Sequence, residues 1–298
     1  MWVEKFRGCS HGLTRRDFLS IAAVWPLAGA RASDDEAVWS QYLSWLKRRV
    51  VGDTVGLDSY RKALIEQGLA KAEVDRRMRM ISERAFRRPE AMRLWFNSMY
   101  GPEGAVGPDW PTPFVVEVAK DLTPGAALDV CMGEGRNSIF LASRGWNVTG
   151  FDVSDVAVMN ARRKAYKAGV KLTAIRSGYQ EFDFGEGKWD LIAMTYAYFP
   201  IRDPVYVNRL VGSMRPEGLL AFQHGFLKKG VDRSGTAPLL GIPEEGELKE
   251  IFRSLVMVRY EEVEEESDWQ VSHGHRMGQT RQDAREETNR EAVLTRRH

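Results

Sequence analysis

Apolar residues recur at two different spacings along this chain, and the change of spacing divides it into two regions. Between residues 34 and 100 they follow a helical period, as at Val38, Tyr42, Trp45 and Leu46, which predicts amphipathic helices. From residue 126 onward, short apolar runs alternate with helical segments. This alternation is typical of a parallel sheet covered by helices on both faces. The sequence therefore predicts a doubly wound α/β domain preceded by a helical extension.

The predicted elements of the α/β region follow one another in a regular order. Strands are predicted at 126–131, 147–151, 171–176, 189–195, 218–223 and 255–262, and helices at 136–144, 156–168, 204–214 and 244–252. A Gly- and Pro-rich stretch at 101–113 separates this region from the helical extension. The tail from residue 270 carries few large apolar side chains, so we expect it to be loosely held, with a last strand only at 292–295.

Composition and charge narrow the class of protein. Hydrophobic residues make up 43% of the 298 residues and charged residues 28%, which is typical of a globular domain. The net charge of +2 gives no overall field for nucleic acid. The two cysteines cannot form a disulfide framework, and no Cys/His spacing predicts a metal site. No apolar run approaches the roughly 18 residues that a membrane span needs, so we expect no stable span.

The first 32 residues are predicted to be an export signal. Basic residues precede the pair Arg15-Arg16, Phe18-Leu19 follow, and an apolar run leads to small residues at Ala30-Arg31-Ala32. This order is typical of a signal peptide with an A-x-A cleavage site, and the arginine pair resembles bacterial twin-arginine signals. We therefore expect the twin-arginine machinery to export the chain to the periplasm or cell envelope. The alternative is a chance arginine pair before an amphipathic helix in a cytoplasmic protein.

Candidate chemistry is concentrated in LDVCMGEGRNSIFLASRGWNVTGFD, residues 128–152. Asp129 closes a strand, and Gly133 and Gly135 form the turn into a helix, where glycine lets the backbone approach a ligand closely. Asp152 ends the next strand, where a carboxylate can accept hydrogen bonds from both hydroxyls of a ribose. The stretch predicts a nucleotide-cofactor site, and Ser138 at the position of the third glycine disfavours a dinucleotide.

The string Asp129-Val130-Cys131-Met132-Gly133-Glu134-Gly135 resembles the D-x-G-x-G-x-G motif of class I S-adenosylmethionine (SAM)-dependent methyltransferases. Cys131 stands where that family has its first glycine. The GRN that follows and the downstream VTGFD are similar to the tellurite-resistance and thiopurine methyltransferase-like branch. The resemblance covers residues 113–269 and implies a mostly parallel, seven-stranded, Rossmann-like methyltransferase sheet with SAM as co-substrate and no metal.

The resemblance also implies roles for single residues. Asp129 would orient the methionine amino group of SAM, and Asp152 would hold the ribose, with Val153 packing beside the adenine. Gln180 or Glu181 would contact the adenine amine, because a glycine stands where the third-strand acid is usual. The complete implied cofactor set is Asp129, Gly133, Glu134, Gly135, Asn137, Asp152, Val153, Gln180, Glu181 and Thr195.

The acceptor pocket is predicted from aromatic residues around the sheet. Tyr196 and His224 are the candidate catalytic groups, although a structural histidine is an open alternative, and a base is needed only for a neutral acceptor. Residues 110–114 are expected to form a lid together with Tyr100. The predicted pocket residues are Tyr100, Trp110, Phe114, Arg136, Tyr198 and Phe199. For Arg136 a surface or interdomain ion pair is equally open, and Cys131 is expected to be a buried filler.

The sequence thus predicts direct, in-line methyl transfer from SAM to a small-molecule thiol, chalcogen oxyanion or hydroxyl. The alternative is an exported, non-catalytic SAM- or nucleoside-binding module, because SAM is made in the cytoplasm and export would separate protein from co-substrate. The predicted organisation is a signal at 1–32, a helical extension at 33–100, a linker and lid at 101–113, a SAM-binding domain at 114–269 and a polar tail at 270–298.

Overall fold

The computed structural model describes residues 25–48, 57–85, 87–100, 108–228, 230, 242–264 and 289–298. Four helices come first: α1 (Trp25–Lys47), α2 (Leu57–Glu66), α3 (Lys71–Ala85) and α4 (Pro89–Met99). Residues 1–24 of the predicted signal and residues 270–288 of the predicted tail lie outside the described residues. Within the described part of the chain, no helix is long and apolar enough to cross a membrane.

The remaining described residues form an α/β unit. Its elements are α5 (Pro113–Lys120), β1 (Ala126–Val130), α6 (Arg136–Ser143), β2 (Asn147–Asp152), α7 (Asp155–Lys167), β3 (Leu172–Arg176), β4 (Trp189–Thr195), α8 (Pro204–Ser213), β5 (Met214–Gly225), α9 (Glu247–Ile251), β6 (Val256–Glu264) and β7 (Asn289–Arg296). The seven strands form one sheet in the order β3-β2-β1-β4-β5-β7-β6. The first five are parallel, and β7 is antiparallel to both of its neighbours. The predicted fold class is confirmed.

Strand β7 corrects the prediction for the C-terminal tail. It lies between β5 and β6 and is longer than the predicted 292–295, so the sheet extends beyond the predicted domain boundary at 269. Val293 packs with the apolar cluster on one face of the sheet and Leu294 with the cluster on the other. A strand paired on both sides is held by its backbone as well as by side chains, which is why so few apolar residues are enough.

The apolar core lies on both faces of the sheet because successive side chains of a strand point to opposite faces. Leu128 belongs to one cluster and its neighbour Ala127 to the other. The helical extension has its own core, with Trp45 and Tyr60 in edge contact at 5.0 Å between ring centroids. Helix α4 connects the two units, since Ala91 packs in the core of the extension and Met92 in that of the sheet. The sequence analysis missed the short helix α5, which begins inside the predicted linker.

Candidate active site

Two buried carboxylates hold the loop between β1 and α6. The backbone N–H of Gly133 donates to Oδ2 of Asp152 at 2.9 Å, and the N–H of Ser154 donates to its Oδ1 at 2.9 Å. The hydroxyl of Ser138 donates to Oδ2 of Asp129 at 2.6 Å. Burial disfavours the charged form of a carboxyl group, and it raises the pKa of both Asp129 and Asp152 to about 6. Both groups therefore titrate just below neutral pH.

The backbone of this loop explains where the motif needs glycine. Gly133 and Gly135 have φ values of 54° and 80°, in the left-handed region that glycine adopts without strain. A Cβ on Gly133 would lie 2.9 Å from the hydroxyl oxygen of Tyr100, so a side chain there would also clash. Cys131, which replaces the first glycine of the motif, has a φ of 55°. The chain thus keeps the loop geometry at a position where a side chain is strained.

A cavity of about 40 Å³ lies at the carboxyl ends of the central strands. Its wall on the side of β2 and β3 includes Asp152, Val153 and Gln180, and Oε1 of Gln180 is buried without a hydrogen-bond partner. A Cβ on Gly178 would lie 2.7 Å from that oxygen, so the glycine leaves space for the glutamine side chain. The lining residues are Met92, Phe96, Tyr100, Cys131, Phe151, Asp152, Val153, Ser177, Gly178, Tyr179, Gln180, Tyr196 and Tyr198.

Helix α4 forms the roof of the cavity, a role that the sequence analysis missed. Met92 and Phe96 line the cavity together with Tyr100, and their four-residue spacing places them on one helix face. Asn97 accepts a hydrogen bond from the hydroxyl of Ser154 at 2.7 Å, and Arg93 forms an ion pair with Asp155 at 3.0 Å. These contacts fix α4 to the start of α7. The four-residue spacing was the sequence signal that could have identified this roof.

The structure brings six of the predicted site residues to the cavity wall. These are Tyr100, Asp152, Val153, Gln180, Tyr196 and Tyr198. Asp129 lies in β1, and Gly133, Gly135 and the half-buried Arg136 belong to the adjoining loop and helix start. The side chain of Glu134 turns toward α7, where it accepts a hydrogen bond from Asn160 at 2.6 Å and pairs with Lys164 at 2.9 Å.

Asn137 links two segments and does not line the cavity. Its Oδ1 accepts a hydrogen bond from the backbone N–H of Thr112 at 2.8 Å, and its Nδ2 donates to the hydroxyl of Thr195 at 2.9 Å. Asn137 thereby ties the segment before α5 to the end of β4. Both it and Thr195 are structural neighbours of the cavity in this conformation.

Four predicted residues lie elsewhere than the sequence analysis placed them. Glu181 is exposed, and Phe199 is completely buried in the core. Phe114 begins α5 and packs in the apolar cluster on the other face of the sheet. Trp110 is 57% exposed and lines a separate groove beside α5 and α6. Of the predicted lid, Tyr100 alone reaches the cavity, because α5 draws residues 110–114 toward the opposite face.

His224 is buried beside Tyr196, with 5.8 Å between the ring centroids, and it does not line the cavity. Its Nδ1 lies 3.1 Å from the carbonyl oxygen of Gly225, and its Nε2 is buried without a hydrogen-bond partner. Burial lowers the pKa of His224 to about 4, so the ring is neutral at physiological pH. This environment is that of a structural histidine.

The titration of His224 predicts a measurable effect on stability. Because its pKa in the folded chain lies below the unfolded value of about 6.5, its contribution is present above that pH and is lost as the pH falls toward 4. Between pH 7 and pH 4.5, we expect the free energy of unfolding of the unmodified protein to fall by about 2 kcal/mol more than that of His224→Phe. Urea unfolding of the protein and the variant at both pH values measures this difference. An identical pH dependence in the two proteins would contradict it.

Fold and site together define the class. The mostly parallel, seven-stranded sheet, the glycine loop and a carboxylate at the end of each of the first two strands agree with the class I methyltransferase resemblance described above. Residues 127–218 match a family of proteins described as a methyltransferase domain. Over these residues the chain is therefore similar to methyltransferase domains.

One curated relative is similar in sequence. Over 105 residues the chain is 28% identical to an uncharacterized methyltransferase of Synechocystis, a match that covers 34% of this chain and 47% of that protein. The chain thus spans about half the length of the curated relative it matches. This match therefore does not establish the activity or the substrates of the whole protein.

Solved structures share the fold. TehB from Haemophilus influenzae is 19% identical with a TM-score of 0.51, and the match covers 63% of each chain. The [4+2]-cyclase SpnF is 18% identical with a TM-score of 0.51, covering 61% of this chain and 78% of its own. A geranyl diphosphate methyltransferase is 14% identical with a TM-score of 0.51, and the match covers 62% of this chain and 76% of that protein. Such identities show the fold alone, and the cyclase shows that this fold also hosts other reactions.

Proposed function

We propose that this protein binds SAM at the described cavity and transfers its methyl group to a small-molecule acceptor. The observation that carries the proposal is the pair of buried carboxylates, Asp129 and Asp152, on either side of a glycine loop. The polar groups present match the polar ends of the co-substrate: Asp152 for the ribose hydroxyls, Asp129 for the amino group, and the unpartnered oxygen of Gln180 for the adenine amine. The exposed Glu181 is the weaker candidate for that last contact.

SAM would supply a methyl group already activated on a sulfonium, so this chain has to orient the acceptor and exclude water. The aromatic wall formed by Phe96, Tyr196 and Tyr198 suits both tasks. Tyr198 is held by edge contacts with Trp95 at 5.7 Å and Phe96 at 5.2 Å. The hydroxyl of Tyr196 accepts a hydrogen bond from Gln223 at 3.0 Å. These contacts fix the side of the cavity that faces β4.

The protonation states of the side chains in the cavity wall favour an acceptor that is already ionised when it binds. Burial raises the pKa of Tyr179 to about 12 and raises the pKa of Tyr198 and of Cys131. These groups keep their protons at neutral pH and do not act as bases, the ionised Asp152 is assigned to the ribose hydroxyls, and His224 lies behind the wall. A thiolate or chalcogen oxyanion needs no base, whereas a hydroxyl acceptor does. We therefore favour the first two acceptor classes.

The test is methyl transfer from radiolabelled SAM to matched acceptors. We expect thiophenol to react at least about 100-fold faster than phenol, a difference of about 3 kcal/mol in activation free energy, with inorganic tellurite as the oxyanion probe. The rate should follow the ionisation of the acceptor. Asp152→Asn is the control and should transfer to neither acceptor. Equal rates for thiol and hydroxyl, with a bell-shaped pH profile, would instead indicate base catalysis by Tyr196 or His224.

A second candidate is a non-catalytic SAM- or nucleoside-binding module exported by the proposed twin-arginine signal at residues 1–32. One observation favours it: the arginine pair followed by an apolar run, which is typical of exported proteins, whereas SAM is made in the cytoplasm. The same assay separates the two candidates. Binding of S-adenosylhomocysteine without transfer to any acceptor of the panel would favour the binding module.

A further inference from the structure

We propose that Tyr100 occupies the methionine end of the cofactor site and so determines which adenosine compounds the protein accepts. This inference rests on the proposed function, because it concerns the same site. It assigns to Tyr100 a role in cofactor selection, in addition to its place among the cavity-lining residues.

The first observation is where the cavity ends. The cavity is lined by Asp152, Val153 and Gln180, which are the residues assigned to ribose and adenine. It is not lined by Gly133 or Gly135. Tyr100 lies between the cavity and the glycine loop, since its hydroxyl oxygen would be 2.9 Å from a Cβ on Gly133. The phenol ring therefore covers the backbone that the family motif assigns to the methionine moiety. The adenosine end is open, and the methionine end is filled.

The second observation is the size of the cavity. A volume of about 40 Å³ has room for only about one or two water molecules. A nucleoside fills more than this, and one that carries an amino acid also needs the space taken by the Tyr100 ring. Binding of SAM or S-adenosylhomocysteine at the glycine loop thus requires Tyr100 to leave it.

The third observation is how Tyr100 is held. It is the residue at the end of α4, and its N–H donates to the carbonyl of Phe96 at 3.0 Å. Its ring stacks on Phe96 with 6.5 Å between centroids, and Asn97 fixes the same helix turn to Ser154. Burial beside Asp152 and Glu134 raises the pKa of its phenol, so the group is neutral. Tyr100 is thus placed by the roof helix and by its stacking on Phe96, and a ligand at the glycine loop has to disrupt that stacking.

A site of this kind selects among adenosine compounds according to whether they have to displace Tyr100. A ligand that requires a minor conformation binds more weakly by the fraction of molecules in that conformation. S-adenosylhomocysteine has to displace Tyr100 from the glycine loop, whereas 5′-methylthioadenosine, which lacks the amino acid, has no group to place there. The amino acid therefore adds little affinity in the natural protein, although Asp129 is available to its amino group.

The experiment compares these two ligands by isothermal titration calorimetry in the full chain, Tyr100→Ala and Tyr100→Phe. In the unmodified protein we expect their Kd values to agree within about threefold. In Tyr100→Ala, S-adenosylhomocysteine should bind at least about tenfold more tightly and 5′-methylthioadenosine within about twofold of before. Tyr100→Phe keeps the ring and should behave as the unmodified protein. Tyr166→Ala, at a tyrosine that is 86% exposed on α7, is the matched control and should change neither value.

A second readout does not depend on the cofactor. Cys131 lines the same cavity, so removing the Tyr100 ring should expose its thiol. In a Cys9→Ser background we expect iodoacetamide to alkylate Cys131 at least about tenfold faster in Tyr100→Ala than in Tyr166→Ala, as exposure governs thiol reactivity. If Tyr100→Ala does not fold, Tyr100→Leu replaces it, because leucine keeps apolar bulk and does not extend to Gly133.

The outcomes separate the inference from the proposed function. Weaker S-adenosylhomocysteine binding in Tyr100→Ala would overturn the inference, because Tyr100 would then be a ligand of the cofactor. An unchanged alkylation rate together with unchanged affinities would overturn it as well. Faster alkylation without binding of either ligand in any variant would uphold the position of Tyr100 and refute the proposed function.

Discussion

Asp152→Ala is expected to abolish the binding of S-adenosylhomocysteine and to leave the protein folded. Asp152 is 5% exposed, and its carboxylate is oriented by the N–H groups of Gly133 and Ser154. Hydrogen bonds to a charged group contribute about 1.5–3 kcal/mol each, so the loss of both ribose contacts weakens binding at least about 100-fold. Calorimetric titration gives the affinity, and circular dichroism with a thermal melt reports the fold.

We expect folding to survive this substitution because burial makes the ionised form of Asp152 unfavourable, so its charge does not stabilise the folded chain at neutral pH. The folded pKa of about 6 lies above the unfolded value, so the favourable contribution is present at low pH and is lost as the pH rises through 6. Asp152→Asn keeps one acceptor oxygen and is the milder variant. Asp190→Asn is the matched control, because Asp190 pairs with Arg215 at the opposite end of the sheet. Unchanged affinity in both Asp152 variants would remove Asp152 from the site.

In Tyr100→Ala, where the methionine end is open, the affinity for S-adenosylhomocysteine is expected to fall about 100-fold between pH 7.5 and pH 5, and that for 5′-methylthioadenosine only about tenfold. The ribose and amino groups bind the ionised carboxylates, and burial holds the pKa of Asp152 and Asp129 at about 6. Below pH 6, the ionised fraction of each such carboxyl falls about tenfold for each pH unit, and the affinity falls with it. The smaller ligand lacks the amino acid and depends on Asp152 alone.

Titrations of both ligands at pH 5, 6 and 7.5 measure this difference. When Asp129→Asn is added to Tyr100→Ala, we expect the pH dependence for S-adenosylhomocysteine to decrease to that of the smaller ligand, because one titrating group remains. Equal pH dependence for the two ligands in Tyr100→Ala itself would show that Asp129 does not contact the amino group. Affinities that stay constant across this range would exclude ionisation of either carboxyl as a step in binding.

Local chemistry explains why much of this site was visible in the sequence. The glycine loop needs left-handed backbone at Gly133 and Gly135, and few residue types other than glycine supply it. A carboxylate at the end of each of two parallel strands is brought to one edge of the sheet by the strand order alone. Asp129, Asp152 and the β4 assignment at 189–195 could therefore be read from spacing and strand pattern, and the boundaries of β4 are those predicted.

The residues that the sequence placed wrongly depend on contacts between distant segments. Trp110 and Phe114 are close to Tyr100 in sequence, yet α5 carries them to the other face of the sheet. His224 follows the predicted strand 218–223 as Tyr196 follows β4, but in the structure it lies within β5 and its ring packs beside the tyrosine, away from the cavity. Nothing within a few residues of these positions distinguishes a cavity wall from a core, because burial depends on what packs opposite.

The sequence by itself determined the class of fold, the glycine loop and the two carboxylates, because backbone conformation and strand order are local properties of the chain. Only the tertiary structure decided that β7 completes the sheet between β5 and β6. It also decided that α4 covers the cavity and that Tyr100 lies over Gly133. These features join segments far apart in the chain, and their stability comes from paired backbone and packed side chains that no single segment contains.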